Sequence, residues 1–120
     1  MVIVVSGLNI ARTSLAGSNL LGTGEGYIAI GTGSQTMVSG LNSLVDGTDR
    51  NQVNTIDLTT NEQATFIANW SPPEISGTIL TEFGLSTTGS VFMNIETLTG
   101  SQVFDGEQEL QIQQTIKFFI

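Results

Sequence analysis

The chain has 120 residues, no cysteine and no histidine, and a formal charge of -8 with Arg12, Arg50 and Lys117 as its only basic residues. The length suits a single domain, residues 1–120, that buries enough surface to fold without a disulfide or metal staple. The missing residue types exclude disulfides, thiolate and histidine metal sites, and Ser-His-Asp or Cys-His nucleophiles, while so few cations argue against nucleic acid and anionic membrane surfaces as partners.

Met1 to Val5 is apolar but too short to span a bilayer, and no basic flank gives it a signal-peptide pattern. The β-branched run Val2 to Val5 reads as a short strand. Ser6 is placed to cap a helix over Leu8 to Leu15, with Leu8, Ala11 and Leu15 at helical spacing and Gly17 ending it. Ala16 to Gly26 reads as a loop. Tyr27 to Ile30 is a strand, stopped by Gly31-Thr32-Gly33. A long polar connection follows from Ser34 to Asn51, anchored by Leu41, Leu44 and Val45; connections of this length usually have a task.

Gln52 to Leu58 alternates as a strand does, and Glu62 to Trp70 places Ala64, Phe66, Ala68 and Trp70 on one face. Ser71-Pro72-Pro73 ends that strand, because proline cannot donate to a ladder. Thr78 to Ser86 is the expected central strand, with Ile79, Thr81, Phe83 and Leu85 on one face and Leu80, Glu82 and Gly84 on the other. Thr87 to Ser90 is a tight connection into Val91 to Thr97, a hairpin. Thr99 to Gly106 is polar apart from Val103 and Phe104, and Glu109 to Ile120 is the last strand. Six or seven short strands with one early helix predict an all-β fold, an antiparallel β-sandwich.

The polar motifs divide by what their chemistry needs. Gly24 to Ala29 matches a loose dinucleotide fingerprint, but a strand follows where a helix N-terminus must receive the pyrophosphate, so it reads as a turn. Asp46, Asp49 and Asn51 gather oxygen ligands in the long loop. Calcium is the ion such ligands suit, yet the loop lacks the EF-hand spacing, and the expectation is no cofactor and no metal. Glu62, Glu74, Glu82, Glu96, Asp105, Glu107 and Glu109 are scattered, and sequence cannot bring two of them to glycosidase separation. Lys117 reads as a snorkelling strand lysine.

Glu82 stands apart by its place on the central strand, where a carboxylate is costly to bury without a partner. Arg50 is the cation best placed to pair with it, which would pin the long loop to the sheet; the alternative is a solvent-exposed Glu82. Tyr27, Val53, Ile67, Leu80, Phe92 and Phe119 lie on the second faces of their strands. A lone small sandwich would expose several of them, so they are the expected interface between copies.

The chain carries Gly7-Leu8-Asn9, then Ile28-Ala29-Ile30-Gly31-Thr32-Gly33, then Leu44 followed by Arg50, and later Ile79-Leu80-Thr81-Glu82-Phe83-Gly84-Leu85. In order and spacing this resembles a small module of phage tail-fibre and related tail proteins, which runs "GLN", "IAVGTG", "L…E…R" and "ITEVGLF". The resemblance implies a non-enzymatic structural protein of a virus particle that forms oligomers, and the expected place for it is the tail, tail fibre or baseplate of a tailed virus. Its expected location is the virion and its partners other virion proteins and itself, a homo-oligomer with a trimer favoured. It also implies that Gly31, Arg50, Glu82 and Gly84 are structural residues and not a catalytic set. Alternatives are a capsid decoration protein, or a surface module binding glycan or a host surface through polar loops. A carboxylate enzyme would need two converging acids.

Overall fold

The computed structural model describes residues 2–7, 10, 21, 26–33, 35, 40–60 and 62–117. Among the described residues eight strands follow one another: β1 (Val2–Ile3), β2 (Gly26–Gly31), β3 (Gly47–Gln52), β4 (Thr55–Asp57), β5 (Gln63–Trp70), β6 (Ile79–Thr87), β7 (Phe92–Val103) and β8 (Leu110–Lys117). They form two antiparallel sheets, a five-stranded one in the order β1-β7-β6-β2-β3 and a three-stranded one in the order β4-β5-β8. The fold is the all-β antiparallel sandwich expected from the alternation. Among the described residues no helix is long and apolar enough to cross a membrane.

The larger core joins the sheets. Ile28, Ile30 and Leu85 from one sheet meet Phe66, Ala68, Trp70, Ile112 and Ile116 from the other, with Ile75 and Phe104 closing the end. Each fully buried Ile or Leu stabilises by roughly 1.5–3 kcal/mol, so this layer supplies most of the driving force. A buried polar contact crosses it: Asn94 Nδ2 on β7 donates to Gln114 Oε1 on β8 at 2.9 Å. The other face of the five-stranded sheet is covered too. There Val4, Ala29, Leu44, Phe92 and Ile95 form a second, smaller cluster with Leu41 against it. The central strand β6 is therefore packed on both sides.

Several elements differ from the sequence reading. β3 begins at Gly47, inside the stretch read as loop, and a break at Val53 and Asn54 separates it from β4. That break is the crossing between sheets: Val53 N–H donates to Gly26 O, and the next amide, Asn54 N–H, donates to Ile67 O. β3 is an exposed edge strand with polar side chains, so hydrophobic alternation could not announce it. β7 runs on to Val103 through residues read as polar connection. Pro72–Ile75 is a one-turn helix; Pro suits the start of a helix, where its missing N–H costs nothing.

Val5 to Gly7 and Ile10 are helical, and the rest of the helix expected over Leu8 to Leu15 lies outside the described residues. Ser6 is not its cap. It sits within the helical turn, and its hydroxyl donates to the Phe92 carbonyl. In the β6–β7 turn the left-handed backbone belongs to Ser90, at φ 60°, and not to Gly89. Ser90 N–H donates to Thr87 O and Thr87 N–H to Val91 O, which holds the turn closed.

Candidate functional site

Two register shifts interrupt the β6–β7 ladder, one between Leu80 and Glu82 and one between Leu85 and Ser86. The first breaks the simple two-residue alternation, so that Leu80 joins the larger core with Leu85. Glu82 is fully buried, with 0% exposure. Its carboxylate accepts three backbone amides: Gly33 N–H at 2.7 Å and Asp46 N–H at 2.8 Å on Oε2, and Val45 N–H at 2.8 Å on Oε1. Thr81 Oγ1 adds a bond to Gly33 O at 2.6 Å. Both ends of the connection between β2 and β3 are thereby tied to one carboxylate.

The glycines around it are required by space. A Cβ on Gly31 would lie 2.7 Å from Glu82 Oε2, and one on Gly33 would lie 2.6 Å from it and run into Val45. The Gly31-Thr32-Gly33 stop thus does more than end a strand: it lets backbone approach a buried carboxylate. Gly84 is likewise packed, with the Phe92 ring 2.8 Å from where its Cβ would stand.

Arg50 does not pair with Glu82. Its Nη1 donates to Thr88 O at 2.9 Å and to Ser90 Oγ at 3.4 Å, and its guanidinium lies 4.2 Å from the centre of the Tyr27 ring. The pairing register explains this. Arg50 faces Ala29 and Glu82 faces Gly31, so the two belong to different rungs, and the loop amides fill the carboxylate's coordination first. The loop is pinned to the sheet as expected, but by its own backbone. Val45, expected as an apolar anchor, has its side chain 56% exposed and contributes its amide instead.

Beside Arg50 an open cleft of about 410 Å³ is lined by Ser43, Leu44, Thr48, Asp49, Arg50 and Ser90 over a floor that includes Ala29 and Phe92. The three oxygen-ligand candidates do not converge there. Asp46 Oδ2 accepts from Thr32 Oγ1 at 2.9 Å, and the Asn51 amide nitrogen donates to Asn69 O at 2.8 Å and Glu74 Oε2 at 3.1 Å. Asp49 lies exposed on β3 opposite Ile30. Among the described residues no three acidic side chains come together.

Glu74 is the second organised carboxylate. It accepts from Ser71 N–H and Ser71 Oγ, both at 2.9 Å, as well as from Asn51. The Ser71 amide, then Asn51 and the Ser71 hydroxyl, hold its pKa below the ordinary carboxylate value. The Asp57 carboxyl is lowered in the same way by the hydroxyl and amide of Thr59.

Of the residues expected at an interface between copies, Val53, Leu80 and Phe92 are buried within the chain itself. Val53 turns inward at the crossing between sheets, Leu80 follows the register shift, and Phe92 is covered by Val4 and Leu44. Tyr27 and Ile67 are half-buried, and Phe119 lies outside the described residues. The amide cradle around Glu82 was missed because its donors are backbone groups that every residue carries. The one signal for it was the Gly-x-Gly following an apolar strand. No family model, no curated protein and no solved structure matches this chain.

Proposed function

We propose that this chain is a non-enzymatic structural protein of a tailed-virus particle, a tail, tail-fibre or baseplate component assembled in multiple copies. The observation that supports it is the Glu82 cradle. Gly31, Gly33 and Glu82 all lie in the segments that carry the resemblance to tail proteins, and here they meet: the Gly33 amide bonds to the Glu82 carboxylate, and Gly31 leaves the space it needs. Glu82 is wholly engaged in fastening a loop, with no face left for a substrate. A rigid sandwich with its long connection tied down suits a part that must keep its shape in an assembly.

The test is purification of the particles followed by quantitative mass spectrometry and labelling with an antibody to this chain. The expected result is a fixed multi-copy stoichiometry and labelling confined to the tail. Labelling over the capsid would move the protein to a decoration role. Recovery of the chain only in the soluble fraction would overturn the reading.

One feature favours a second reading, a surface module that binds a glycan or host surface. The cleft beside Arg50 offers a guanidinium and the hydroxyls of Ser43, Thr48 and Ser90 over an apolar floor. Glycan-array binding by the native chain that disappears in Arg50→Ala would support it.

A further inference from the structure

Of the described sheet edges, β8 is the one left unguarded. It pairs with β5 through an unbroken register, from Gln63↔Lys117 to Trp70↔Leu110, and no described strand lies on its other side. The remaining edges carry the usual protection. β1 has two residues and β4 three. β3 carries Asp49 and Arg50, and its ladder shifts register at Ile30/Gly31. Short strands, charges and bulges are how sheets block edge-to-edge pairing. β8 spans eight residues with no bulge, no proline and no charge before Lys117.

We propose that β8 is a self-association edge, pairing antiparallel with β8 of a second copy about a two-fold axis at Gln113. Charge selects this occupant and this register. Glu109, just before the strand, and Lys117, at its end, are both exposed and are the only charged residues in this stretch. By alternation they share a face with Gln111, Gln113 and Thr115. A two-fold at Gln113 sets Gln113 opposite itself, Gln111 opposite Thr115, and each Lys117 opposite Glu109 of the other copy. An unrelated peptide would owe nothing to that spacing.

The side chains continue the pattern. Gln111 Nε2 donates to Asn69 Oδ1 at 3.0 Å, and Gln113 Nε2 donates to Gln111 Oε1 at 2.7 Å. This amide chain ends at the proposed axis, where the facing Gln113 offers both a donor and an acceptor. The two three-stranded sheets become one six-stranded sheet, and the contact is isologous. The proposed contact makes a dimer, where the expectation above was a homo-oligomer with a trimer favoured. The pairing deepens the multi-copy reading above, but it is tested on the isolated chain.

The full chain is expected to dimerise at micromolar concentration by sedimentation equilibrium. Gln113→Cys, in a chain with no other cysteine, is expected to give a disulfide-linked dimer on mild oxidation, because directly opposed strand residues place their Cα atoms about 4.5–5.5 Å apart. Gln111→Cys is expected not to cross-link, since its two copies would stand about 14 Å apart. Lys117→Glu is expected to weaken the dimer roughly tenfold, and adding Glu109→Lys to restore it.

A monomer throughout the micromolar range, equal cross-linking of both cysteine variants, or a charge swap without rescue would overturn the pairing. A trimer without the Gln113→Cys cross-link would overturn it while leaving multi-copy assembly standing. Absence of the chain from particles would overturn the particle reading and leave the cross-link untouched.

Discussion

Gly33 and Glu82 meet at one atom: the Gly33 amide donates to Glu82 Oε2 at 2.7 Å, and any side chain on Gly33 would intrude on that oxygen. The glycine and the carboxylate are therefore one device, and each needs the other. Glu82→Gln keeps the size but turns an amide NH₂ toward backbone donors, leaving at least one buried N–H unpaired. The expected loss is about 3 kcal/mol. Gly33→Ala is expected to cost a similar amount by forcing the loop off the sheet, roughly 2–3 kcal/mol. The double variant should fall well short of the sum, because either change already opens the cradle. Urea unfolding measures the stabilities, and hydrogen exchange at the Val45 and Asp46 amides should quicken in both single variants.

The Asn94–Gln114 contact spans the interior between the sheets, yet Asn94 Oδ1 and Gln114 Nε2 have no partner there. A half-satisfied buried pair holds less than an apolar replacement of similar shape, while removing one member strands the other. Asn94→Leu or Gln114→Met alone should destabilise by about 1–3 kcal/mol. The combined variant is expected to be at least as stable as the native chain. Thermal melting of the four proteins checks it, and a double variant less stable than both singles would contradict it.

Arg50 ties the edge strand β3 to the β6–β7 turn through Thr88 and stacks over Tyr27. The site is exposed, so the effect is modest: Arg50→Ala should cost roughly 0.5–1 kcal/mol. Arg50→Lys should not restore it, since an ammonium lacks the planar fork that reaches Thr88 while covering a ring. A double-mutant cycle with Tyr27→Leu should give a coupling of about 0.5 kcal/mol, and no coupling with Glu82→Gln.

Glu74 links stability to acid. Its pKa is lowered in the folded state by Ser71 and Asn51. A lowered carboxylate contributes stability that is fully present above its unfolded value and is lost as pH falls through the folded one. The native chain should therefore exceed Glu74→Ala in stability at neutral pH, and the gap should close on acidification below the ordinary carboxylate range. Denaturant midpoints measured across pH 7 to pH 2 test this. Asn51→Ala should raise the Glu74 pKa in an NMR titration, moving the acid limb upward.

Alternation along Ala64, Phe66, Ala68 and Trp70, and the turn residues between strands, determined the all-β sandwich from sequence alone, because a half-buried strand must alternate to keep its apolar face inward. Sequence also marked Glu82 as a carboxylate needing a partner. Only the tertiary structure decided which partner. A search through side chains finds Arg50, whereas the donors are the amides of Gly33, Val45 and Asp46, groups that carry no residue identity. The same limit hid β3, an edge strand held by backbone pairing with β2, and the crossing at Val53 and Asn54, where successive amides bond to different sheets. It hid the inward turn of Leu80 as well, since a register shift between strands is a property of two segments together, and alternation within one segment cannot foresee it.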